Sequence, residues 1–313
     1  MAAIVVVGSL NMDLVIRATR RPGRGETLLG STFGMTGGGK GSNQALAVAR
    51  LGAESYMIGC VGKDDFGTRL RGVLADNGVK CDYMEESDSA STGVAVITVT
   101  DEGESSIIIS RGANAFLNEE MLNRAGEVFA SADAAMFQME IPSETVYAGL
   151  RLARRAGCRT FLSAEPPFLL PSEAWNCIDC MVLNERALNF YVTGSTGAPS
   201  REMVNGMASQ LQKRGVRSVV VTRSAQGGLI FTEGRRFSFE PFKVHVVDNT
   251  GARDAFCAGL CVGLAEGMIM ERAARFASAA GALACTRIGA HPSLPWRREV
   301  EALMEETAGD YAG

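Results

Sequence analysis

Short β-branched runs alternate with helical stretches along most of this chain, and that rhythm constrains the fold more than any single motif. Ile4-Val5-Val6-Val7, ending at Gly8, reads as a strand buried on both faces, and Thr160-Phe161-Leu162, Met181-Val182-Leu183 and Val219-Val220-Val221 repeat the pattern. Between such runs, residues 43–51, 146–156 and 203–214 carry helical spacing. Strands and helices alternating at about 25–35 residues predict an α/β fold, a three-layer α/β/α core with a mostly parallel sheet.

Two segments interrupt the rhythm. Residues 24–35 and 92–109 run in β-rich character, the second with Thr, Val and Ile around the turn Asp101-Glu102-Gly103-Glu104, with no helix inside either. They predict a small sheet standing off the core as a lid, its strands at about 14–35 and 92–111. The 313 residues contain no long linker, repeat or low-complexity tract, so the expectation is a single domain over 1–313 with lid strands inserted.

A formal net charge of −4 argues against a nucleic-acid or anionic-membrane surface, which needs clustered Lys and Arg. No apolar run reaches the roughly 18 residues of a membrane span, and the opening 2–7 lacks a basic flank, so a cytoplasmic location is expected. Eight scattered cysteines suit reduced small hydrophobes; Cys177 and Cys180 lack the second pair that a zinc site needs. With only His245 and His291 available, a histidine-based metal centre is not expected.

The stretch GGGKGSNQ at 37–44 looks like a phosphate cradle that misses its pattern. Gly34 to Lys40 has the P-loop spacing, but Gly41 stands where a metal-binding hydroxyl belongs. Read from Gly37 as a dinucleotide fingerprint, it has Ser42 in place of the third glycine, and Gly8-Ser9-Leu10 after the first strand has no such fingerprint either. A second glycine-bearing turn, DNTGARDAF at 248–256, precedes a helix with apolar residues at Phe256, Leu260 and Leu264. Such a turn presents amides and the positive end of a helix dipole to an anion. Asp254 in its first turn is either a helix-capping or first-turn acid or a general base beside a phosphate.

Taken together, GSLNMD at 8–13, GGKGSNQ at 38–44, RGAN at 111–114, QMEIP at 138–142, DNTGARDAF at 248–256 and GAHPSLPW at 289–296 resemble, in order, the ribokinase family of PfkB-type sugar kinases. The resemblance runs nearly end to end. It implies ATP-dependent phosphorylation of a primary hydroxyl of a small sugar, D-ribose to D-ribose 5-phosphate, with Mg²⁺ accompanying ATP, K⁺ as activator and a homodimer formed through the lid. By the same resemblance Asn11, Asp13, Gly39, Lys40, Asn43 and Glu140 bind the sugar, Asp254 is substrate-binding and the catalytic base, and Gly251, Ala252 and Arg253 lead the anion hole. Nucleotide contacts fall to Asn184, Thr222, Ser224, Gly227 and Ser278, and the potassium site to Asp248, Thr250, Ala284, Arg287, Gly289 and Ser293. From the residues alone, Asp13 also reads as a turn acid, Asn43 as a helix cap and Glu140 as a solvated loop residue.

The departures gather on the nucleotide side. The family's Gly-Ala-Gly-Asp reads Gly251-Ala252-Arg253-Asp254, its Asn-x-x-Glu reads Asn184-Glu185-Arg186-Ala187, its Thr-Leu-Gly reads Thr222-Arg223-Ser224, and its Asn-Pro-Ala-Pro reads Ser163-Ala164-Glu165-Pro166. If position 253 needs a positive φ, arginine there costs about 1–2 kcal/mol; its guanidinium has Asp254 or a phosphate as prospective partners. Two classes therefore remain open, an active sugar kinase with a modified phosphate site and a kinase-derived sugar binder with weak or no phosphoryl transfer.

Overall fold

In β1 (Ala3–Val7), Ile4 and Val6 pack into one apolar layer with Leu46, Leu260 and Phe276, while Val5 and Val7 enter the opposite layer with Phe129, Phe137 and Leu150. Successive side chains of a strand point to opposite faces, so a continuous apolar run can only be satisfied by cover on both. The computed structural model describes residues 1–307 and provides that cover with helices on each face of a nine-stranded sheet.

In chain order the strands are β1, β2 (Asn11–Ala18), β3 (Thr32–Gly38), β4 (Glu54–Gly62), β5 (Lys80–Ser87), β6 (Gly93–Thr100), β7 (Ser105–Ser110), β8 (Ala134–Gln138), β9 (Arg159–Ser163), β10 (Cys180–Asn184), β11 (Ser218–Thr222), β12 (Gly228–Thr232) and β13 (Arg235–Phe239). The large sheet runs β13-β12-β11-β10-β9-β8-β1-β4-β5, parallel from β11 through β5, with β12 and β13 as antiparallel edge strands. From β1 the chain builds outward through β4 and β5, then returns to the other side of β1 and builds through β8 to β11. That reversal opens a crevice at the carboxyl ends of β1 and β8, the place where open α/β sheets bind ligands.

The second sheet, ordered β3-β2-β6-β7, pairs β2 parallel to β6 and flanks both with antiparallel partners. Residues 92–109 hold two strands around a turn at 101–104, as the sequence suggests. The first segment differs: its strands are β2 and β3, and 24–31 carry no strand. Asn11 and Asp13 lie on the second sheet, where β2 pairs with β3 and β6. The face of this sheet that carries Ile16, Phe33, Met35, Val96 and Ile108 is apolar, and all five are exposed. Among the described residues no helix is long and apolar enough to cross a membrane, and all eight cysteines are free.

Candidate active site

Gly8 and Gly41 bring β1 and the helix Lys40–Arg50 into backbone contact; a Cβ on Gly41 would stand 2.5 Å from the Gly8 carbonyl carbon. Gly39, the residue before that helix, sits at φ 89°, and any Cβ there would strike the Asn11 amide. The glycine stretch is thus a close-packing device that lays the helix against the strand end. Its polar side chains then face the crevice.

Asn43 Nδ2 donates to Asp254 Oδ2 at 2.9 Å, Gln44 Nε2 donates to Asp254 Oδ1 at 3.0 Å, and Gln138 Nε2 at the end of β8 donates to Gln44 Oε1 at 2.7 Å. Asp254 is an acid of the first turn of its helix, Ala252–Ala265, but its side chain makes no capping bond there, so the capping alternative falls. Asn43 is likewise no helix cap. Its buried Oδ1 has no hydrogen-bond partner among the described residues.

Glu140 accepts from Ser9 Oγ at 2.6 Å and from the Lys40 amide at 3.3 Å, and stands 3.6 Å from Lys40 Nζ. It is not a solvated loop residue. Asp13 is buried on β2, not in a turn; burial first, then the charges of Glu140 and Asp254, push its carboxyl up to about 7 against the pull of Lys40. Burial also raises Asp254, with Lys40, Asn43 and Gln44 acting in the opposite sense. Burial works against the charge on Lys40, but the carboxylates of Glu140, Asp254 and Glu165 together raise its pKa, Arg253 opposing them. Asn11 is set by Asn114, which donates to Asn11 Oδ1 at 2.8 Å and is itself locked to the Leu10 backbone. A cavity of about 170 Å³ opens among Ser9, Asn11, Asn114, Glu140, Arg111 and Phe168.

The helix Ala252–Ala265 starts from Gly251 at φ 80°. The Ala252 amide turns back to the Asn249 carbonyl and the Ala255 amide to Gly251, so within this turn the Arg253 and Asp254 amides are the ones a helix start leaves without intrahelical partners. Arg253 lies inside the helix and needs no positive φ; the only described residue other than glycine with one is Ser224. The strain foreseen for Arg253 is absent. Its guanidinium pairs with Glu165, not with Asp254. One residue along a helix is about 100° of rotation, which takes Arg253 away from the inward-facing carboxylate.

On the nucleotide side Asn184, Thr222, Ser224 and Gly227 lie at or just beyond neighbouring strand ends and Ser278 on the helix Met270–Ala284, and they are partly engaged. Asn184 Oδ1 caps the helix Glu185–Thr193 through the Ala187 amide, and its Nδ2 donates to Glu165 at 2.9 Å. Ser278 Oγ donates to the Glu240 carbonyl, and Thr222 ends β11. Ser224 and Gly227 bound a tight loop in which Gly227 sits at φ 69°. Arg223 stands 3.1 Å from Glu185, so the substitutions at 253 and 223 each acquire a carboxylate. Glu165 stands out in the sequence only as a departure; in the fold its carboxylate receives Asn184 N, Asn184 Nδ2 and Arg253. Sequence reasoning also misses Gln44, Gln138, Ser9 and Asn114, though each lies inside a quoted motif.

Behind the Gly251 turn, Asp248 accepts from the Thr250 amide and hydroxyl through Oδ1 and from the Gly289 amide through Oδ2. Asp248 N reaches the Cys285 carbonyl beside Ala284, and Ser293 Oγ reaches the Thr250 carbonyl. Arg287 sends its side chain away to Glu299 and has only its backbone to offer. These are oxygen donors in one cluster, a set that fits a hard cation. Among the described residues no three His, Cys, Asp or Glu gather as a metal site.

The family profile described as "pfkB family carbohydrate kinase" matches residues 1–297. The chain is 35% identical over 304 residues to ribokinase of Bacillus subtilis, covering 97% of this chain and 100% of that one, and 32% identical over 302 residues to ribokinase of Haemophilus influenzae, covering 96% and 98%. It superimposes on the structure of Arabidopsis thaliana ribokinase complexed with ribose and ATP with a TM-score of 0.91 at 33% identity, over 97% of this chain and 99% of that one. A crevice at the β1/β8 reversal, a buried aspartate at a helix start and a match over almost the whole length have one common explanation: the chain belongs to the pfkB family of carbohydrate kinases.

Proposed function

We propose that this carbohydrate kinase transfers the terminal phosphoryl group of ATP to the primary hydroxyl of D-ribose. The observation that carries the reading is the buried Asp254 carboxylate, held by Asn43 and Gln44 at the start of a helix whose Arg253 and Asp254 amides are left without intrahelical partners. Likeness to a ribokinase complexed with ribose and ATP supports the choice of acceptor and donor.

In this reading Asn11, Asp13, Lys40, Asn43 and Glu140, with the Gly39 turn, grip the sugar hydroxyls, and the unpartnered Asn43 Oδ1 accepts one of them. Asp254 takes the proton of the attacking hydroxyl, and Asn43 and Gln44 fix which oxygen faces it. The amides of the Gly251 turn and Arg253 line the path of the phosphoryl group. Bound MgATP supplies that group and the metal's charge. Thr222, Ser224, Gly227 and Ser278 border the nucleotide, with Asn184 acting through Glu165, and the Asp248, Thr250, Ala284, Arg287, Gly289, Ser293 cluster holds K⁺ behind the anion hole. The second sheet serves as the lid of a single domain and, through its uncovered apolar face, as the contact for a second copy.

A coupled ADP-release assay with ribose and a panel of pentoses, hexoses and nucleosides, with Mg²⁺ and K⁺ present, tests the reading. Ribose should give the highest kcat/KM. Turnover with another acceptor and none with ribose would replace the substrate; a sugar that binds without any ADP release would leave a kinase-derived binder.

A further inference from the structure

Arg253 spends one of its five N–H donors on Glu165, and its side chain remains 34% exposed at the mouth of the Ala252–Ala265 helix. The other four make no hydrogen bond among the described residues, beside a first turn that already offers amides to an anion. The surrounding charge is mostly negative, from Asp13, Glu140, Glu165 and Asp254, and Lys40 is already paired with Glu140. Arg253 is therefore a cation with donors to spare beside the start of this helix. Glu165 in turn is not free to wander: at 12% exposure its two oxygens take Asn184 N at 2.7 Å and Asn184 Nδ2 at 2.9 Å. Asn184 is itself fixed as the cap of the next helix.

We propose that Arg253 is a fixed cationic contact for the terminal phosphate of the nucleotide, and that Glu165 is the positioning residue that holds the guanidinium over the cradle and off the Asp254 carboxylate. The inference rests on the kinase reading of the same site. Arginine suits the task because its planar fork engages a phosphate oxygen pair while a remaining N–H stays on the carboxylate. A loose arginine beside a general base would pair with it and quench it. The two substitutions at 165 and 253 thus act as one unit.

Calorimetric titration with a Mg²⁺-bound non-hydrolysable ATP analogue, and separately with ADP, reads this without turnover. Arg253→Met should weaken the analogue about tenfold to a hundredfold and ADP only a few-fold, and Arg253→Lys should recover part of the loss. Glu165→Gln, with Glu165→Asp as the gentler change, should weaken the analogue by a smaller factor, and should add nothing in the Arg253→Met background. Unchanged or tighter analogue binding by Arg253→Met would overturn the proposal by showing an obstruction. An equal effect of Glu165→Gln with and without Arg253 would overturn the positioning role. A wild type that phosphorylates no sugar yet shows the predicted affinity pattern would sink the ribose reading and leave the clamp standing; ribose turnover with indifferent Arg253 variants would do the reverse.

Discussion

Asn43 Nδ2 lies 2.9 Å from Asp254 Oδ2, a hydrogen bond that spans 211 positions of the chain and joins the glycine turn to the start of the helix Ala252–Ala265. With Gln44 on the other oxygen, it leaves the carboxylate one orientation. Asp254→Asn should lower kcat by about 10²–10⁴-fold while ribose affinity stays within a few-fold, since general-base work is expressed in the transition state. Gln44→Leu removes a donor that favours the ionised form, so it should raise the Asp254 pKa further and move the acid limb of the kcat profile to higher pH. A limb that moves down would contradict the assignment.

Asp13 makes the empty crevice costly at neutral pH. Its carboxyl is raised from 3.8 to about 7, so between those values the folded chain keeps a proton that the unfolded chain releases. Stability therefore falls as pH rises through that window, by about 4 kcal/mol at most. Asp13→Asn should raise the melting temperature of the sugar-free protein at pH 8, flatten its pH dependence and abolish the stabilisation given by ribose. Thermal melts from pH 5 to 8 decide it.

His291 carries the opposite slope. Buried against Ser42 and repelled by Arg50, it is lowered from 6.5 to about 3 and stays neutral in the folded chain. Below about 6.5 the unfolded chain gains a proton that the folded one refuses, so stability falls as pH drops toward 3, by about 5 kcal/mol in the limit. Denaturant melts of His291→Gln should show a shallower acid limb than wild type. Parallel limbs would refute His291 as the source of that slope.

The apolar face of the second sheet should be covered by a second copy, since an exposed apolar sheet with open edges is otherwise an aggregation hazard. Light scattering should give a dimer at micromolar concentration, and Ile108→Lys, at a residue 75% exposed on β7, should give a monomer. A monomeric wild type ends that reading.

Potassium should act on turnover rather than on sugar binding, because the Asp248 cluster lies behind the Gly251 turn and touches none of the sugar-side groups. Replacing K⁺ by tetramethylammonium should lower kcat several-fold and leave the ribose Kd unchanged in calorimetry.

Local pattern carries much of this protein. The apolar runs at 4–7, 160–162, 181–183 and 219–221 are all strands of the large sheet, because a run buried on both faces leaves little choice of structure. The helix that begins beside Asp254 is legible for the same reason, from a glycine turn followed by apolar residues four apart. Position along the chain also sets the order of the motifs. It is silent on how they meet. The start of β2 at Asn11, and with it the placing of Asn11 and Asp13 on the second sheet, follows from pairing with β3 and β6, whose partners are remote in sequence. Glu165 and Arg253 each look like a loss when read in their own segments. They face one another across 88 positions only because β9 and β10 are neighbours in the sheet and the helix Ala252–Ala265 opens onto their ends. Side-chain periodicity is decided by adjacent residues, whereas a charge finds its partner through strand order and packing, which the folded chain alone decides.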